Sequence, residues 1–339
     1  MNMKTMKFLW LLILVAICSC TSQDTHQTIS YKHRVFVHSD SCILGRPYQI
    51  ALSDSIVLIA DSNNEKMLYA FHAKSGKEIG RYLTRGQGPN EYLSISSIGR
   101  WKDGMYLYDL NKRVMSEIIC KDSIRIVPTM NLGKDLHPTF VPLADDTFIA
   151  SGYYQEGRFC LLTDSGRRKE YLMEYPSRDE EEKTIANQAK SQAYSGGIVA
   201  CPSGNVFMAY TSKADMLSFY GYENGNIQVI KEIYKTYPDY HYDSKNKRYL
   251  AISRKNPFTY IWGCGTSKYV YLMYSGKSYD EAGDFAHRTS QIEVYNWRGI
   301  KEKTLLLDIP ILGMAVSEDD STMYAISMNP EPQIVAFDL

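Results

Sequence analysis

The side chains that could do chemistry in this 339-residue chain are numerous but dispersed. Its seven histidines, His26, His33, His38, His72, His137, His241 and His287, contain no His-Glu-x-x-His and no other spacing that would set two metal ligands on one face. Beyond Cys20, cysteines stand at 42, 120, 160, 201 and 264 without a Cys-x-x-Cys, so they read as small buried strand residues rather than as sulfur ligands. Asp61-Ser62-Asn63 and Asp109-Leu110-Asn111 share an acidic-x-Asn spacing with calcium loops. The glycine and distal glutamate of an EF-hand loop are missing, however, and Asx side chains shaping a turn account for both. There is no Gly-x-Ser-x-Gly elbow, Walker A sequence or dinucleotide fingerprint. Gly86-Gln87-Gly88-Pro89 is too short and too constrained by proline to cradle a phosphate; it reads as a rigid connection. The sequence therefore proposes no catalytic residue, no metal and no cofactor, although a fold can still gather scattered residues at one point.

Aromatic recognition is the chemistry that composition favours. Tyrosine occurs 27 times, and it offers a flat apolar face and a hydroxyl at little entropic cost, but it is also a preferred strand residue. Tyr106, Tyr108, Tyr269 and Tyr271 lie in apolar runs and belong to a core, whereas Tyr237, Tyr240, Tyr242 and Tyr279 fall in connections. Lys plus Arg equals Asp plus Glu at 38 each, so no basic excess exists to neutralise phosphates and nucleic acid is not an expected partner.

The elements that must position these residues repeat. Asp54-Ser55 feeding the apolar run Ile56–Ala60, closed by Asp61, has five further copies, and markers at 54, 103, 145, 203, 267 and 319 give spacings of 49, 42, 58, 64 and 52. Such periods suit propeller blades. Around the first marker, Tyr48–Leu52, Ile56–Ala60, Lys66–His72 and Glu78–Leu83 read as four strands separated by Gly, Asn, Asp and Ser turns. The second strand of each repeat is apolar throughout, as a sheet covered on both faces allows. The turns leave no room for the helices of a parallel α/β fold. The prediction is all-β: a six-bladed β-propeller of four-stranded antiparallel blades. The last repeat supplies only three strands before the chain stops, so Tyr31–Val37 is expected to complete it.

Ahead of that body, Lys4 and Lys7 precede the apolar run Phe8–Ile17, which is too short to span a bilayer comfortably and is placed like the core of a signal peptide. The ending Ile17-Cys18-Ser19-Cys20 resembles a bacterial lipobox, with Cys20 as the acylated residue because Ser19 is small and Ile17 is not. The expected division is a signal peptide over 1–19, a lipidated polar tether over 20–30 and the propeller over 31–339. The expected location is the cell envelope, as an outer-membrane lipoprotein.

Three segments carry a family likeness: Arg85-Gly86-Gln87-Gly88-Pro89-Asn90-Glu91-Tyr92, the run Lys268–Gly276, and Ile292–Gly299. They resemble recurring signatures of the TolB-like six-bladed propeller lipoproteins of Bacteroides-type bacteria. Arg298 stands where an acidic turn residue is expected, and Asn296 where Asp is commoner. The resemblance implies partner binding at the envelope without naming the partner.

Three readings remain open from sequence: a recognition module for a glycan, peptide or envelope protein; a propeller enzyme, such as a polysaccharide lyase or hydrolase, with its groups at the axis; and a structural envelope subunit. Loop lengths choose a face. In a propeller the turns joining first to second and third to fourth strands share one face, and here all are short. The long connections, 84–93, 131–138, 176–194, 234–257 and 275–290, fall on the other. Contacts are expected there from Arg85, Glu91, Tyr240, Tyr242, Arg248, Tyr279, Asp280, His287 and Arg288.

Overall fold

The computed structural model describes residues 26–37, 42–53, 55–120, 124–144, 146–243, 245 and 250–339. The expected leader, Cys20, most of the tether, His38 and Arg248 lie outside them.

Six antiparallel sheets surround an axis. The first blade takes Pro47–Leu52, Ile56–Asp61, Lys66–His72 and Glu78–Thr84 in that spatial order, and the next four begin at Ser97–Trp101, Thr139–Pro142, Gly196–Ala200 and Pro257–Gly265. The sixth begins at Gly313–Val316. Each innermost strand touches the innermost strand of the next blade, and Gly313–Val316 touches Pro47–Leu52, so the ring closes.

Burial explains the composition of the strands. All six residues of Ile56–Asp61 are buried, because this second strand has a neighbouring blade on either side. Outermost strands such as Asn226–Tyr234 are mostly exposed and correspondingly polar. Among the described residues, six apolar clusters are each shared by two adjacent blades, and a seventh gathers Tyr175, Ala193, Tyr194, Ala214 and Met216 beneath the crossover insertions. One joins Ile50, Val57 and Phe71 of the first blade to Tyr324, Ile326 and Ile334 of the sixth. Tyr106, Tyr108 and Tyr271 are core residues, whereas Tyr269 is half-buried. The described cysteines are all free, and Cys42, Cys160 and Cys201 are buried.

The N-terminal segment ties the ring shut with two strands instead of one. Strand β1 (Gln27–Tyr31) adds in parallel to Lys301–Ile311, giving the fifth blade a fifth strand with Gln27 opposite Lys303 and Tyr31 opposite Leu307. Strand β2 (Arg34–Val37) then pairs antiparallel with Gln333–Asp338 as the fourth strand of the sixth blade. Between them, His33 donates its amide to Asp308 Oδ1 at 3.0 Å. The first described strand thus starts at Gln27, within the stretch expected to be tether. Polar residues such as Gln27, Thr28 and Ser30 suit an exposed edge strand as well as they suit a linker, so composition alone could not separate the two.

Candidate functional site

Every connection on the short-turn face is brief, the widest (73–77 and 317–321, for example) holding five residues. The opposite face carries the crossovers between blades and the turns between second and third strands. There the third-to-fourth-blade crossover holds α1 (Glu180–Lys183) and α2 (Asn187–Ala193). The fourth-to-fifth holds a hairpin of Tyr240–Tyr242 with Leu250–Ile252, and the fifth blade inserts α3 (Tyr279–Ala282) and a 3-10 turn, Gly283–His287.

The first two insertions are locked together by a buried carboxylate. Asp179 caps α1 by accepting from the Glu182 amide at 2.8 Å, which aims Glu182 inward to 2 % exposure. Its carboxylate accepts from Tyr194 Oη at 2.9 Å, from Tyr240 Oη, and from the Arg178 guanidinium at 3.4 Å. Burial, reinforced by Glu182, pushes both phenols above their ordinary range.

Against this frame the expected contact residues separate. Arg85 and Glu91 serve their own loop: Arg85 donates to the Ser62 and Leu93 carbonyls at 3.0 and 3.2 Å, and Glu91 accepts from the Gly88 amide at 2.8 Å. A Cβ at Gly86 would lie 1.9 Å from Glu91 Oε2, so glycine makes room for that carboxylate. Tyr240 is the brace just described, and Tyr242 is half-buried in the same hairpin. Tyr279 and Asp280 meet over Arg254, whose guanidinium lies 4.4 Å from the Tyr279 ring centroid and 3.2 Å from Asp280 Oδ1. His287 packs on Phe258 with ring centroids 3.9 Å apart, beside Lys213, which burial brings down to about 8. Burial and Lys213 lower the His287 pKa, with Asp284 opposing. Arg288 lies over the Phe285 ring at 4.5 Å. Tyr279, Asp280, His287 and Arg288 therefore form one side of the face, above blade five. Arg85 and Glu91 stand apart from them, above blades one and two.

Sequence reasoning missed a cleft of about 60 Å³ between blades three and four, open on the crossover face and lined by Arg158, Tyr153, Tyr175, Tyr194 and the pair Gly196-Gly197. A Cβ at Gly197 would fall 2.4 Å from the Tyr210 ring, so the pair lets an innermost strand pass close to that tyrosine. Arg158 is 5 % exposed, and it enters the third strand of its blade at the cleft floor. The available signals were a charged residue opening an apolar strand, Gly157-Arg158-Phe159, and the glycine pair Gly196-Gly197. Among the described residues, no three His, Cys, Asp or Glu side chains gather as a metal site.

A family described as TolB-like 6-blade propeller-like matches residues 26–319. The chain belongs to this TolB-like family. Solved structures of similar fold include a Bacteroides fragilis protein described as exported, 14% identical with a TM-score of 0.51, the match covering 92% of this chain and 99% of that one. Raptor of Chaetomium thermophilum is 11% identical with a TM-score of 0.51, over 93% of this chain but only 29% of its own. At such identities the likeness shows the propeller fold. No curated protein matches the sequence.

Proposed function

We propose that this TolB-like propeller is a recognition module of the cell envelope, held on the outer membrane through acylated Cys20, which binds a glycan, peptide or envelope protein with its crossover face. The observation that carries the reading is where exposed apolar side chains sit among the described connections. Ile43, Leu136, Tyr153, Tyr279 and Phe285, at 38 to 79 % exposure, all lie in crossover-face loops; Ile300, at 44 %, is the short-turn-face counterpart. Large apolar groups held in water on one face, beside short turns on the other that show what folding alone requires, favour a surface that is covered in use.

Photo-crosslinking residues introduced singly at Tyr153, Tyr279 and Phe285, and for comparison at Lys74, Asn224 and Ile300, test this in intact cells. Adducts of defined mass are expected from the first three and not from the second. Adducts confined to the short-turn set would reverse the face and sink the reading.

A further inference from the structure

We infer that the cleft between blades three and four binds a carboxylate group of the ligand, with Arg158 as its counter-charge. The inference rests on the crossover-face reading above and names the chemistry recognised there. Arg158 carries its charge into the interior, yet among the described residues no carboxylate lies within ion-pair distance of it. Nη1 donates to Tyr220 Oη at 2.9 Å and Ser218 Oγ at 3.3 Å, and the guanidinium lies over the Phe159 and Tyr175 rings at 5.0 and 5.9 Å. Phenol oxygens and ring faces offset part of the desolvation of a buried cation without supplying a negative charge.

The geometry identifies the missing partner. Tyr234 Oη also supports the guanidinium, but among the described residues the hydrogen bonds within 3.5 Å all run from Nη1, and none from the side formed by Nε and Nη2. Neither nitrogen belongs to the fully enclosed unpartnered atoms, and Arg158 lines the cleft. That side presents two parallel N–H donors, the fork that matches the two oxygens of a carboxylate. A single cation balances a single negative charge, which favours a carboxylate over a phosphate dianion. At about 60 Å³ the cleft has room for the volume of roughly four waters, enough for a carboxylate and its attached carbon but not for a whole sugar ring or residue. The remainder of the ligand would rest at the mouth against Tyr153, 52 % exposed.

An acidic sugar and a peptide C-terminus offer the same group, and paired probes distinguish them. Glucuronate with its methyl ester, and N-acetyl-Gly-Tyr with its amide, are titrated against the mature protein by saturation-transfer NMR. At least one acid is expected to bind ten-fold or more tighter than its neutral partner. R158K should weaken it about ten-fold by losing the fork, and R158M should abolish it. Because R158M could fail to fold, S195W provides an independent check: Ser195 is exposed at the rim, and an indole there should block the acid while the melting temperature holds. Equal binding of acid and neutral partner, undiminished binding by folded R158M and S195W, or no binding of either acid at 10 mM (~) would overturn the assignment. If acids fail to bind while crossover-face crosslinks persist, the carboxylate site falls and the face stands. Acid binding to a protein that crosslinks only from its short turns would give the reverse.

Discussion

A buried imidazole shows how much one side chain can set the behaviour of the ring. His137, 1 % exposed, is hydrogen-bonded through Nδ1 to Tyr154 Oη, while its Nε2 has no partner among the described residues. Burial brings its pKa down to about 4, against the pull of Asp135 and the Leu132 carbonyl and with a small push from Arg113. The folded-state value lies below the unfolded one, near 6.5, so the unfolded chain takes up more protons between these limits. Stability from this residue is complete above about pH 6.5 and falls as pH drops toward 4, by about 3 kcal/mol in all. Urea midpoints at pH 7 and 4.5 should therefore converge in His137→Gln relative to wild type. Parallel losses in the two proteins would show that other groups set the acid limit. Asp61 and Asp109 teach a different lesson at this scale. Their Asx-turn role was legible because it is local: Asn63 N donates to Asp61 at 2.8 Å, and Asn111 N to Asp109 at 3.0 Å. Their grip on the incoming crossover, through Gly45 N at 2.7 Å and Leu93 N at 2.7 Å, spans 16 residues in each case and leaves no mark on sequence spacing.

Among the elements, the closing strands matter most. The need for β2 was legible as a count, since the last repeat supplies three strands and a blade needs four. Its value lies in packing. Phe36 and Val37 are 7 and 3 % exposed in the cluster between blades six and one, and the Phe36 ring meets Tyr324 edge-on at 4.8 Å. Burying two such side chains contributes roughly 3–6 kcal/mol. By contrast, β1 is largely exposed and adds mainly backbone pairing. A chain beginning at residue 26 should melt like the full mature form, one beginning at 32 slightly lower, and one beginning at 38 on the order of 10 °C lower, with concentration-dependent association through the bared edge. Equal melting of all three forms would remove closure by β2 as a source of stability. The cleft, unlike the blades, was not legible. Apolar runs and turn residues report an element's own period, but Arg158 and Gly197 acquire meaning only when two blades meet.

At the scale of the whole molecule, the parallel pairing of β1 fixes where the N-terminus leaves the disc, and with it which face would look toward a membrane. Lys301–Ile311 runs from a short turn, 297–300, toward the crossover at Leu312, and Gln27 sits opposite Lys303 near its beginning. His26 therefore emerges at the short-turn face, at the rim of blade five. From an acylated Cys20 to His26 there are six residue steps, which at no more than about 3.6 Å each cap the tether at about 22 Å. On the proposed anchoring through Cys20, so short a tether from that side would keep the short-turn face near the lipid and turn the crossover face away, in line with the exposed apolar groups on the latter. The arrangement is measurable with the purified lipidated protein on vesicles carrying a headgroup quencher. A fluorophore placed at Lys74 or Asn224 should be quenched more strongly than one at Tyr279 or Tyr153, and Cys20→Ala should release the protein and abolish both signals. Stronger quenching at Tyr279 would mean that the crossover face lies on the membrane, and membrane retention of Cys20→Ala would remove Cys20 as the anchor. Inserting some twenty Gly/Ser residues after position 21 should erase the difference between the faces without releasing the protein, because a flexible linker of that length spans roughly 25 Å on average and no longer dictates which side approaches the bilayer.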